Sequence, residues 1–209
     1  GVGPYPAATM VPQLLSELRT RFAGVNTRVE VNNAKYLAEH LRSEELDFYV
    51  ADLRNVPTAA DVAFTRIGRL SAGFYVRPAH PLLAADRLVA AAVLPYGLAS
   101  VRLPDAVLCF LAPLMGLAEG TRLPLAVECD DLNLLKTVAL NTDTVLACAD
   151  AGAAQEVASG HLVRLEVIDL PLMFSDLGVV SLKGRSYSLV AQFAVDFLTR
   201  LGQRQAALT

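Results

Sequence analysis

The chain has 209 residues, 54% hydrophobic and 19% charged, with 18 Lys and Arg against 21 Asp and Glu and a formal net charge of -3. Such apolar content excludes disorder and suffices for one large core or two smaller ones. The basic residues are scattered, so these residues lack the concentrated positive surface that nucleic-acid phosphates require.

In chain order, Gly1 to Gly3 reads as the end of a strand. From Ala7 to Phe22, Met10, Val11, Leu14, Leu15, Leu18 and Phe22 recur at three- and four-residue spacings, which predicts one helix with a single buried face. Gly24 stops it. Arg28 to Val31 alternates like a strand, Asn32-Asn33 turns the chain, and Lys35 to Arg42 supplies a short helix. Leu46 to Ala51 is a continuous apolar run, as expected of a strand covered on both faces. This βαβαβ rhythm predicts a parallel sheet with right-handed crossovers. A further strand, Ser71 to Val76, runs into Arg77-Pro78-Ala79-His80-Pro81, whose prolines end regular structure.

The rhythm then repeats: strand Tyr96 to Ser100, helix Ala106 to Met115, strand Leu125 to Glu128, helix Asp131 to Leu140 and strand Thr144 to Cys148. The apolar stretch Ala106 to Ala118 contains Pro113 and Gly116 and is shorter than a bilayer span, so it reads as buried core and no membrane partner is expected. After Pro171 come strand Leu177 to Leu182 and helix Tyr187 to Leu201. Gly1-Val2-Gly3-Pro4 has no charged segment followed by an apolar one, hence no sign of a signal peptide, and a cytoplasmic location is the expectation.

Chemistry-bearing motifs are sparse. Gly1-Val2-Gly3 has Pro6 where a dinucleotide fingerprint needs its third glycine, and no GxSxG, HExxH or P-loop occurs. Cys109, Cys129 and Cys148 are widely spaced among apolar neighbours and read as buried free thiols. His40, His80 and His161 are isolated, so neither metal, cofactor nor catalytic residue is expected. His80 reads as a turn-shaping residue.

The order of these pieces resembles the effector-binding domain of LysR-type transcriptional regulators. The resemblance rests on Gly1-Val2-Gly3-Pro4-Tyr5-Pro6-Ala7-Ala8-Thr9 followed by Pro12, Leu14, Leu15 and Phe22; on Leu41-Arg42-Ser43-Glu44-Glu45-Leu46-Asp47-Phe48, with Glu44 where glycine is usual; on His80-Pro81-Leu82; and on Ser159 to Leu165. Leu140-Asn141-Thr142-Asp143 and Cys148-Ala149-Asp150 depart from the family pattern. What the resemblance implies is an α/β fold of two Rossmann-like lobes joined by two crossover strands, like type II periplasmic binding proteins. Lobe I would combine residues 1–78 with 177–209, and lobe II would hold 79–176. It further implies a small-molecule effector, a homodimer or higher homo-oligomer, and DNA binding only through an N-terminal winged helix-turn-helix that these residues do not contain. The alternative reading is a solute-binding protein of a transporter with the same fold; an enzyme on that scaffold, such as a prephenate dehydratase-like catalyst, would need a polar cluster that the sequence does not offer.

In α/β folds ligands gather beyond the carboxyl ends of strands, near helix N-termini. In a two-lobed protein that place is the cleft between lobes. The candidate effector contacts are Pro4, Tyr5, Pro6, Asn32, Asn33 and Arg54 in lobe I, and Arg102, Leu103, Asp130 and Asp150 in lobe II. Arg102 follows a strand and offers a bidentate fork for a carboxylate, or is a solvated surface arginine. Asn32 and Asn33 fit a ligand or a turn, and Tyr5 a ring stack or a cover for the first helix. Asp131 reads as an N-cap. Acidic residues at 52, 130, 131 and 150 weigh against a strongly anionic effector and leave a neutral, zwitterionic or basic one open.

Overall fold

The computed structural model describes residues 1–56 and 59–206. It divides into two compact units, Gly1–Leu70 with Phe174–Thr209, and Ser71–Met173. The chain passes between them inside two long strands, β2 (Val62–Val76) and β7 (Met173–Leu182). The changeovers fall at 70/71 and 173/174.

In unit 1, Val2 bridges in parallel to both Val31 and Val50. The predicted first helix is two: α1 (Pro4–Thr9) and α2 (Val11–Arg21), parted at Met10. Pro12 explains the break, because it lacks the N–H that a continuous helix would direct at Ala8 and its ring clashes with that carbonyl. Next come α3 (Ala34–Arg42) and β1 (Tyr49–Asp52), which pairs antiparallel with β7 from Tyr49↔Val180 to Asp52↔Leu177. The strand order is β1-β7-β2. Leu37, Leu41, Leu46, Tyr49, Val62 and Val180 form a buried core beneath α3. The last helix, α7 (Leu189–Ala206), meets β2 where Gly68 and Gly202 face each other, and Phe193 meets Phe22 edge-on at 5.2 Å.

Unit 2 contains β3 (Leu98–Ser100), α4 (Asp105–Leu114), β4 (Val127–Glu128), α5 (Leu132–Asn141), β5 (Val145–Ala149), α6 (Asp150–Ala158) and β6 (Val163–Arg164). β3 runs parallel to both β4 and β5, whereas β2 pairs antiparallel with β5 and β6. The sheet is therefore mixed and not purely parallel as expected, because the crossover strands run against the βα core. Phe74, Leu98, Leu108, Leu111, Met115, Val145 and Leu165 fill the core of this unit.

His80 does shape its turn. It is 2% exposed, its Nδ1 accepts from the Leu82 amide at 3.1 Å, and its Nε2 donates to the Asp143 carbonyl at 2.9 Å. Glu44, standing where the family pattern has glycine, has φ of 62°, the left-handed conformation that glycine tolerates best.

Candidate functional site

Because β3, β4 and β5 are parallel, their carboxyl ends lie at one edge of unit 2. Ser100 ends β3 with its hydroxyl buried and donating to the Ala147 carbonyl at 3.0 Å. The Arg102 amide that follows donates to Asp130 Oδ1 at 3.1 Å, and the Cys129 amide to the Ser100 carbonyl at 3.2 Å. These bonds join the loops after β3 and β4. Asp131 caps α5, accepting from the amides of Asn133 at 2.9 Å and Leu134 at 3.4 Å. The Arg102 side chain is 57% exposed and reaches Glu128 only at 3.5 Å, a carboxylate it shares with Arg122. Such an exposed pair contributes little and leaves the guanidinium available to another anion. Leu103 is half-buried beside it.

Asp150, first residue of α6, accepts from the hydroxyls of Ser71 and Tyr75 and has Arg164 Nε at 3.6 Å. Burial, followed by the Asp150 carboxylate, pushes the Tyr75 phenol well above its ordinary range. The Cys148 thiol, 2% exposed, is likewise pushed up, chiefly by burial. Cys109 and Cys129 are only partly buried, contrary to expectation: one lies on α4 and the other in the loop after β4.

Unit 1 repeats the logic with Val2, Val31 and Val50 side by side. Asn32 accepts from the Asn33 amide at 2.9 Å and donates to Glu30 at 3.3 Å, while Asn33 caps α3 through the amides of Lys35 and Tyr36. Glu30 also holds His40 Nδ1 at 2.8 Å. That hydrogen bond lowers the Glu30 pKa and raises that of His40. Arg54 donates to Asp52 and to the Phe174 carbonyl and lies over the Phe174 ring at 5.6 Å. Pro6 is buried, Pro4 and Tyr5 are half-buried, and the Tyr5 carbonyl accepts from the Thr9 hydroxyl at 2.9 Å.

The ten sequence candidates thus sort by what they already hold. Asn32, Asn33, Arg54 and Asp150 are engaged in a turn, a cap and internal pairs, and Asp130 with a backbone amide. Pro4, Tyr5, Pro6 and Asn32 gather at the strand ends of unit 1; Arg102 and Leu103 stand at those of unit 2. Sequence reasoning missed Ser71, Tyr75 and Phe174, whose partners lie far away along the chain, and Arg164, which reaches back to Asp150. Among the described residues, no helix is long and apolar enough to cross a membrane.

The family profile of the LysR substrate binding domain matches residues 1–203. The chain belongs to that family. It is 30% identical over 195 residues to the SDS degradation transcriptional activation protein of a Pseudomonas species, covering 92% of this chain and 62% of the relative. It therefore spans less than two thirds of that protein's length. Solved structures of LysR-family proteins share the fold. The regulatory domain of CcmR from Synechocystis PCC6803, in complex with 2-PG, superimposes with a TM-score of 0.74 at 17% identity, over 96% of this chain and 94% of that one. HinK, a LysR family transcriptional regulator from Pseudomonas aeruginosa, does so with a TM-score of 0.74 at 12% identity, over 98% of this chain and 69% of that one. The relatives of this LysR-type effector-binding domain are transcriptional regulators, not enzymes, and the type II periplasmic-binding-protein-like architecture is the one the resemblance implied.

Proposed function

We propose that this domain senses a small-molecule effector held by the strand-end loops of both units, and passes the signal to an N-terminal winged helix-turn-helix outside these residues. The regulator acts in the cytoplasm as a homodimer or higher homo-oligomer and touches DNA only through that N-terminal part. The family match over residues 1–203 is the observation that carries the regulator reading. A ligand works here only by binding one arrangement of the protein more tightly than another.

Arg102, with Pro4, Tyr5, Pro6, Asn32 and Leu103, is the contact set we assign to the effector. Arg54 and Arg164 stand beside Asp52 and Asp150 and offset their charge, and Asp131 sits at the positive N-terminus of α5, so the acidic residues weigh less against an anionic group than their bare charges suggested. A small anion with an apolar part suits the exposed Arg102 fork beside Leu103. This chemistry agrees with the relatives' names, one concerned with SDS degradation and one with 2-PG.

A thermal-shift screen of small carboxylates, phosphate esters including 2-PG, short-chain alkyl sulfates and neutral polyols tests the reading. Specific binding raises stability by mass action, about 2.7 kcal/mol at a hundredfold excess over Kd. One anionic class should stabilise the chain, and Arg102→Ala should weaken that binding about tenfold or more without lowering the stability of the free protein. Equal binding by Arg102→Ala would remove the Arg102 assignment. If no compound that binds changes operator affinity of the intact regulator, the sensing role fails.

A further inference from the structure

The two units carry matching clusters where the crossover strands enter them. In unit 1, Asp52 ends β1 and accepts from Ser175 Oγ at 2.8 Å and Arg54 Nε at 3.1 Å. Ser175 is the second residue of that unit after Met173. In unit 2, Asp150 directly follows β5 and accepts from Ser71 Oγ and the Tyr75 hydroxyl, with Arg164 alongside. Ser71 is the first residue of its unit after Leu70. In both cases the strand that ends at the aspartate pairs antiparallel with the crossover strand: β1 with β7, β5 with β2.

The match extends to the surroundings. Each cluster has an arginine, Arg54 or Arg164, and an aromatic residue from the crossover strand, Phe174 or Tyr75. Gly73 is what lets Arg164 lie against β2, since a Cβ there would stand 2.9 Å from Arg164 Nε. In unit 1 the cluster continues along the crossover strands: Arg69 stacks on Phe174 at 3.8 Å and donates to Asp176. Asp150 begins α6 without capping it through its side chain, so its carboxylate is spent on the crossover strand instead.

We propose that Asp52 and Asp150 are positioning residues that tie each unit's strand-end loop to the serine at which the chain changes units, so that a change at either loop is passed to the crossover strand. The proposal rests on the reading that the effector is held at the strand-end edge of each unit, to which the loops at Asp52 and Asp150 belong alongside the assigned contacts. Hydroxyl-to-carboxylate bonds are short and about twice as strong as neutral ones, so losing one is felt at both of its ends. By linkage the influence is reciprocal: what the loop does to the strand, the strand does to the loop.

Hydrogen exchange on residues 1–209 without any effector tests this, which keeps its failure separate from failure of the effector assignment. Asp150→Asn should raise exchange at Ser71 to Gly73 about tenfold, the scale of one charged hydrogen bond, and leave Ala99 and Val127 unchanged. Ser71→Ala should in turn raise exchange at Asp150 to Ala153, Ser71→Thr should restore it, and the Asp150→Asn, Ser71→Ala double variant should show less than the sum of the two. Asp52→Asn and Ser175→Ala should behave alike in unit 1. The proposal is overturned if the Asp150→Asn effect stays local to α6, if it spreads evenly through the sheet, or if the two substitutions add.

Discussion

Helix α7 lies on β2 with backbone against backbone, and the substitution that probes this is Gly202→Ala. A Cβ at Gly202 would stand 2.5 Å from the Ile67 carbonyl oxygen and 3.0 Å from its carbon, and one at Gly68 would stand 2.6 Å from the Gly202 oxygen. Both obstacles are main chain, so no side-chain rotation relieves them; reaching even 3.0 Å needs a separation of about 0.5 Å (3.0 less 2.5) along the helix-strand contact. In a free helix, Ala is better than Gly by about 1 kcal/mol. Overpacking a tight contact costs about 1–3 kcal/mol or more, and with no flexible atom to yield, the upper part of that range applies. The net expectation is a loss of about 1–2 kcal/mol. For a unit of about 100 residues that lowers Tm by roughly 5–15 °C. Calorimetry reads it directly, with Gly24→Ala as control, since a Cβ at Gly24 meets nothing within 4 Å. The unit 1 transition should fall for Gly202→Ala and stay level or rise slightly for Gly24→Ala. A Gly202→Ala protein as stable as the parent would refute the close approach of α7 and β2.

Glu44→Gly should stabilise the chain by up to about 1 kcal/mol in urea denaturation, because it relieves a left-handed residue whose partner Arg185, at 3.7 Å, is an exposed ion pair of little worth; a loss of stability would contradict that backbone conformation. The His40–Glu30 pair sets a pH dependence. His40 has its pKa raised above 6.5 by the Glu30 hydrogen bond, with Glu45 adding and Arg28 opposing, so its contribution is complete below pH 6.5 and is lost as pH rises through the raised value. Glu30, lowered from 4.5, keeps its contribution above that pH and loses it only as pH falls through the lowered value. The gap in urea midpoint between the parent and His40→Gln should therefore be widest near pH 5.5 and narrow by pH 8.5; an equal gap at both would rule the pair out. Native thiol labelling should reach Cys109 and Cys129 but not Cys148, which is 2% exposed and holds its proton, until the protein unfolds; rapid labelling of all three would contradict the burial.

Local chemistry in the sequence was enough for the βα rhythm, the turn at Asn32-Asn33, the N-cap at Asp131, the turn at His80 and the family itself. Helical periodicity, an asparagine or aspartate ahead of an apolar run, and a His-Pro pair act within a few residues, so they can be read in one dimension. The first half of β2 was not legible, because Ala63 to Leu70 carries Arg66, Gly68 and Arg69 and is stabilised by pairing with β7 more than 100 positions later. The break at Met10 had its signal in Pro12, which the long apolar periodicity obscured. The roles of Arg54 and Asp150 were decided only in three dimensions. As isolated charges after strands they look free for a ligand, yet each is held by a crossover strand, Arg54 by Phe174, 120 positions away, and Asp150 by Ser71, 79 positions away. Hydrogen bonding and charge pairing depend on distance in space, and no spacing in the sequence encodes which distant donor a buried carboxylate will meet.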